Sequence, residues 1–212
     1  MKALILVDIQ NDFVPGGALP VNEGDQIIPI VNRLQEKFEL IVATQDWHPA
    51  EHGSFAANHR GKKIGEVIDL CGLEQILWPV HCVQGEFGAD FVSSFNMDRI
   101  SKIFTKGTDI NIDSYSGFFD NKRRKSTGLA DYLKSQGVSD VYIAGLATDY
   151  CVKFTAFDAQ SLGFKTYIIE DACRGVNLHE GEVEKALSDM QTIGIQLIQS
   201  QEVVFFREKS GS

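Results

Sequence analysis

Asp8, the Asp46/His48 pair, Lys106 and Cys151 are far apart in the chain, yet each lies at or just past the end of a short apolar run. An acid, a cation and a thiol gathered in one place can generate a nucleophile and steady the charge that develops on its target. A carboxylate and an imidazole two positions apart can share a metal ion. Cys151 closes the segment Gly145-Leu-Ala-Thr-Asp-Tyr-Cys151, which joins an apolar run to an amphipathic one. That puts it in the first turn of a predicted helix. Unpaired N–H groups and the helix dipole there favour a thiolate and can hold the oxyanion of a tetrahedral intermediate. An isolated cysteine also fits as a small buried hydrophobe, but a strand-to-helix turn favours the reactive reading. Asp8 ends an apolar run where a carboxylate is costly to bury unless it is paired. It reads as a capping residue or as a general base tuned by Lys106. Lys106, between Thr105 and Gly107, would keep that acid ionised and favour the thiolate.

Alternate residues of an extended segment share a face, so Asp46 and His48 can chelate one ion together. His81, in Trp78-Pro-Val-His81-Cys82, offers a second imidazole. Two imidazoles and a carboxylate suit zinc, iron or manganese, with remaining positions left to water or substrate. His52, Ser54 and His59 are near enough in sequence to supply or support a further ligand.

The elements that must position these residues alternate regularly. Apolar runs at 2–8, 39–44, 100–105, 139–145, 165–170 and 195–199 are nearly continuous and read as strands buried on both faces. Helical spacing predicts helices over 24–37, 127–136 (capped by Thr127, ended by Gly137), 149–162 (ended by Gly163) and 180–192. A repeating strand–helix order implies an α/β fold: one doubly wound, Rossmann-like domain over 1–208. Its six-stranded, mainly parallel sheet has helices on both faces, and 209–212 form a tail. Ligands bind such sheets beyond the carboxyl ends of the strands, where strand order reverses, and the reactive residues fall on that edge. Two long stretches, 45–99 and 106–126, break the rhythm and read as functional loops.

Composition narrows the function. The 212 residues are 43% hydrophobic and carry a net charge of −9, which argues against a nucleic-acid partner. Lys122-Arg-Arg-Lys125 reads as a solvated turn. No apolar run approaches the length of a membrane span, and Cys71, Cys82, Cys151 and Cys173 read as free thiols. A cytoplasmic protein is expected, with a homo-oligomer left open.

Several segments match a known family. They are Val7-Asp8-Ile-Gln-Asn-Asp12-Phe13, Gly16-Gly17-Ala-Leu, Gln45-Asp46-Trp-His48-Pro49 and His52-Gly-Ser54-Phe55. Further on come Trp78-Pro-Val-His81-Cys82-Val83, Lys106-Gly107, Asp113-Ser-Tyr115-Ser-Gly117-Phe-Phe-Asp120-Asn121, Gly145 to Val152, and Asp171-Ala-Cys-Arg174-Gly175-Val176. With these the chain resembles the nicotinamidases of the isochorismatase-like cysteine hydrolases along nearly its whole length; residues 60–76 and the last dozen match least. The resemblance implies an amidase that turns nicotinamide, and also pyrazinamide, into the acid and ammonia during NAD salvage. It implies Asp8, Lys106 and Cys151 as catalytic triad and Asp46, His48 and His81 as ligands of one divalent metal, with Ser54 or His52 as doubtful neighbours. Phe13, Trp78 and Tyr115 are implied as walls around the pyridine ring, the backbone N–H groups of Ala147 and Cys151 as the oxyanion hole, and Leu146–Ala147 as a cis peptide. A metal-free relative acting on isochorismate or a ureido amide would lack the Asp46/His48/His81 set. An inactive paralogue would have lost a triad member.

Overall fold

In the computed structural model the described residues are 1–204; positions 205–208 of the expected domain and the 209–212 tail lie outside them. The strands are β1 (Lys2–Val7), β2 (Leu40–Asp46), β3 (Val67–Asp69), β4 (Glu74–Ile76), β5 (Lys102–Lys106), β6 (Asp140–Leu146), β7 (Lys165–Arg174) and β8 (Gln196–Ile198). Six of them form one sheet in the order β5-β2-β1-β6-β7-β8, with every adjacent pair parallel. The helices are α1 (Ile28–Leu34), α2 (Leu129–Ser135), α3 (Lys153–Ser161) and α4 (Glu182–Thr192). The doubly wound α/β expectation holds.

Period-2 alternation explains why both faces are covered. Ala3, Ile5 and Val7 of β1, with Val141 and Ile143 of β6, share a core with Leu129, Leu133, Val152 and Ala156. Leu4 and Leu6, with Tyr142 and Ala144, face the opposite core, built around Ile27, Val31 and Leu34. The chain winds outward from β1 through β2 to β5, returns to β6 on the other flank of β1, and continues through β7 to β8. Strand order therefore reverses between β1 and β6. Register then fixes who meets whom at the carboxyl edge: Val7 lies opposite Gly145, and Asp46 opposite Lys106.

The helices depart from the sequence expectation at their starts. The stretch 24–37 divides into a 3-10 turn, α1 and a second 3-10 turn. Pro29 sits in the first turn of α1, where its missing N–H costs nothing. Helix α2 starts at Leu129 because Gly128 turns left-handed at φ 86°; Thr127 Oγ1 still accepts the Leu129 N–H at 3.2 Å. The 149–162 stretch opens with a π-helical turn, Thr148–Val152, before α3. Gly137 and Gly163 end their helices at φ 70° and 88°, as predicted.

The long stretch 45–99 is tied down rather than loose. His48 bridges to Val83 and Phe55 to Trp78, while β3 and β4 pair as an antiparallel ribbon. The ribbon was not anticipated, because three-residue strands carry no readable period. Lys122–Lys125 form the expected exposed turn, with the Lys122, Arg124 and Lys125 N–H groups folded onto the Asp120 carboxylate.

Ile5 is fully buried in the strand beside the switch point. Ile5→Ala should therefore cost about 2–5 kcal/mol of stability, read from urea denaturation. A loss below about 1 kcal/mol, far under the usual range for such a truncation, would contradict its central packing.

Candidate active site

Lys106 is where the strand ends converge. Its ammonium lies 2.9 Å from Asp8 Oδ2, pairs with Asp46 Oδ1 at 2.5 Å, and donates to Ser114 O at 2.9 Å and to Cys151 Sγ at 3.4 Å. Thr44, on β2, donates to the other Asp8 oxygen at 2.6 Å. Asp8 itself turns left-handed at φ 48° immediately after β1, a conformation that aspartate tolerates better than most residues. Asp8, Lys106 and Cys151 are all buried.

Burial and the neighbouring charges together decide the charge states. It favours a neutral lysine, but the Asp46 and Asp8 carboxylates outweigh it and hold the Lys106 ammonium well above the usual lysine range. For Asp46 burial is likewise opposed, here by Lys106 and His48, and its carboxyl stays well below the ordinary range. Asp8 goes the other way: burial pushes it up, with Lys106 opposing and Asp46 adding to the rise. Burial also drives the Cys151 thiol well up against the pull of Lys106, and the nearby Asp8 and Asp46 carboxylates reinforce that. This corrects the expectation of a resting thiolate. Cys151 sits in a buried π-helical turn, so its proton must be removed during reaction, and a carboxylate of raised pKa is suited to accept it.

Beside this cluster lie Asp46, His48 and His81, whose potential ligand atoms are within 4.8 Å of one another. His48 Nδ1 faces Gly107 O and His81 Nδ1 faces Pro79 O, each at 2.8 Å. A carbonyl only accepts, so each Nδ1 carries a proton, and Nε2 is the nitrogen through which the neutral ring would ligate an ion. Those two Nε2 atoms lie 3.4 and 3.8 Å from Asp46 Oδ2. Three preoriented donors of this kind fit a divalent transition metal. Gly107 makes room for the His48 ring: at φ 64° it is left-handed, and a Cβ there would overlap the imidazole. Of the doubtful neighbours, Ser54 Oγ is engaged by His52 Nδ1 at 2.7 Å. His52 Nε2 is buried without a partner among the described residues, on a ring 4.3 Å from that of His48. His59 turns away, its Nε2 bonded to Gly53 O.

Both clusters open into one recess, lined by Phe13, Trp78, Tyr115, Ala147, Cys151, Asp46 and His81, among others. Trp78 Nε1 donates to the Tyr115 hydroxyl at 3.1 Å, fixing two aromatic walls together. The Leu146–Ala147 peptide is cis, as the resemblance implies, and Ala147 and Cys151 line the recess side by side. Leu19, Asp113, Tyr150 and Val176 also line it and were not singled out from sequence. Tyr150 directly precedes Cys151, and Asp113 opens the Tyr115 segment; those adjacencies were the available signals. Gln75, in the poorly matching stretch, reaches in from the ribbon to donate to Asp113 and Tyr115.

An open parallel sheet with a buried acid, lysine and thiol at its switch point has the parts of a cysteine hydrolase site on a doubly wound α/β fold. Residues 2–202 match the family model described as Isochorismatase domain, and the chain belongs to that family. The nicotinamidase of Acinetobacter baylyi is 47% identical over 202 residues, spanning 95% of this chain and 94% of that protein. The solved nicotinamidase/pyrazinamidase of Acinetobacter baumannii is 48% identical with a TM-score of 0.93, covering 96% of this chain and 98% of its own. The pyrazinamidase of Pyrococcus horikoshii, solved in complex with zinc, is 43% identical with a TM-score of 0.76, covering 93% and 98%.

Removing the central cation strands two buried carboxylates. Lys106→Met, freed of metal by a chelator, should lose about 3–5 kcal/mol at pH 7. Without the ammonium, the folded-state pKa values of Asp8 and Asp46 rise above their unfolded values. The stability they allow is then present at acid pH and lost as pH rises through the folded pKa. Urea denaturation from pH 5 to 7 should show the deficit shrinking toward pH 5; a small, pH-independent loss would contradict the charge assignment.

Proposed function

We propose that the chain is a nicotinamidase, an amidohydrolase that converts nicotinamide to nicotinate and ammonia through a thioester on Cys151. The observation that carries this reading is the Lys106 ammonium, ion-paired to Asp8 and Asp46 and 3.4 Å from the Cys151 sulfur, beside an aromatic recess. The identity to the Acinetobacter nicotinamidases supports it.

In this scheme Phe13, Trp78 and Tyr115 clasp the pyridine ring and exclude water from its faces. Asp8 takes the Cys151 thiol proton, and the sulfur forms a bond to the amide carbon. Lys106 offsets the charge that builds on the thiolate. The backbone N–H groups of Ala147 and Cys151 hold the oxyanion. Asp8 returns its proton to the amide nitrogen as the C–N bond breaks and ammonia leaves. A water molecule then gives a proton to Asp8 while its oxygen attacks the thioester carbon, and the thiol and nicotinate are released. Asp46, His48 and His81 would hold one divalent metal, which when bound supplies a Lewis acid to seat the ring nitrogen and so orients the carboxamide.

Zinc is the metal this reading favours, with iron or manganese also suited to the donor set; the zinc complex of the Pyrococcus pyrazinamidase supports it. Pyrazinamide, which keeps a ring nitrogen in the same place, is proposed as a further substrate. We place the reaction in NAD salvage, in a cytoplasmic protein whose free cysteines suit a reducing compartment. The catalytic unit is taken as one domain over 1–208. No helix among the described residues is long and apolar enough to cross a membrane.

Ammonia release from nicotinamide, assayed with and without a chelator, tests the reading. Wild-type protein should release ammonia and lose most activity on chelation. Cys151→Ala should fall to background with its unfolding midpoint nearly unchanged, and His48→Ala should lose metal content. No release by metal-loaded wild type, or substantial turnover by Cys151→Ala, would overturn it.

A further inference from the structure

We infer that Asp12, which neither reacts nor binds metal in this scheme, is the positioning residue that couples the metal ligands to the substrate wall. The inference rests on the proposed metal role of Asp46, His48 and His81.

Cys82 follows His81 and adopts a left-handed backbone at φ 46°, a strained conformation for a residue with a side chain. Its N–H donates to Asp12 Oδ2 at 2.7 Å, a short charge-assisted hydrogen bond. Its carbonyl accepts the His48 N–H at 2.9 Å. One residue thus joins the backbones of both histidines, and Asp12 grips that residue by its amide. The other Asp12 oxygen accepts the Ala18 N–H at 3.0 Å, and its backbone carbonyl accepts the Leu19 N–H at 3.0 Å. Leu19 lines the recess, as does Phe13, the next residue along, whose ring centroid is 5.6 Å from that of His81. Asp12 therefore fixes one apolar wall, through its carboxylate at Ala18 and its carbonyl at Leu19, while the same carboxylate sets the approach of two imidazoles.

Gly88 gives independent access to this device from another segment. A Cβ on Gly88 would overlap the Asp12 carboxylate. Gly88→Ala should therefore push the carboxylate off Cys82 without removing it.

Outer partners that orient metal ligands are typically worth about 10–100-fold in metal affinity. Cobalt(II) affinity, measured by competition with a chromogenic chelator, should fall by about that factor in Asp12→Asn and in Gly88→Ala. Both variants should also show an altered cobalt(II) visible spectrum. Saturating cobalt(II) should restore most of kcat on nicotinamide while KM stays raised, because Leu19 and Phe13 remain displaced. A purely structural role would lower the unfolding midpoint and leave metal affinity and KM of the folded fraction unchanged. That pattern would overturn the inference, as would wild-type cobalt(II) affinity in Gly88→Ala if Asp12→Asn fails to fold. Wild-type protein that binds no cobalt(II) would sink the metal reading, and this coupling with it.

Discussion

A fully buried ammonium sets the terms for the whole carboxyl edge of the sheet. Lone charges are far too costly to bury, and Lys106 is tolerable only because Asp8 and Asp46 both reach it. That demand fixes backbone as well as side chains. Asp46 must lie opposite Lys106 in the β2–β5 register, and the chain must turn left-handed at Asp8 to aim its carboxylate inward. Removing the ammonium leaves both carboxylates without their cation in a buried site, so the cluster behaves as one unit. Its chemistry follows from the same imbalance: two carboxylates compete for one cation, Asp46 takes the larger share, and Asp8 is left poised to bind a proton.

Around that centre, the second half of the site is built from loops that borrow rigidity from the sheet. The segments after β2 and before β5 bridge to each other at His48–Val83 and Phe55–Trp78, which brings His81 beside His48. Backbone carbonyls of Gly107 and Pro79 then set the imidazole tautomers. The ribbon contributes through Gln75, whose amide ties Asp113 and Tyr115 together under the recess. A site for a small planar amide needs this stiffness, because orientation of the carboxamide toward the sulfur depends on how firmly the ring is held.

Much of this was legible in the sequence. Six apolar runs became six strands, because a strand buried on both faces must be apolar almost continuously. The reactive residues stood out because charged or nucleophilic groups at the ends of such runs need a reason to be there. What stayed hidden depends on partners distant in the chain. The left-handed Gly128 moved the start of α2, and a π-helical turn replaced the first turn of the helix holding Cys151. Helix position alone suggested a thiolate, but burial of the thiol outweighs the dipole, and burial is a property of the packed fold. The anchoring bonds of Asp12 and Gln75 also span long sequence separations, and no local pattern reports them.

The central claim is that the buried Lys106 cluster makes Cys151 a nucleophile toward the carboxamide. Rapid acid quench of the metal-loaded enzyme during turnover of nicotinamide, followed by peptide mass spectrometry, tests this most directly. The nicotinoyl group should be found on the peptide containing Cys151 and be absent when Asp8 is replaced by asparagine. Brisk ammonia release with the quenched acyl group on another residue would contradict it.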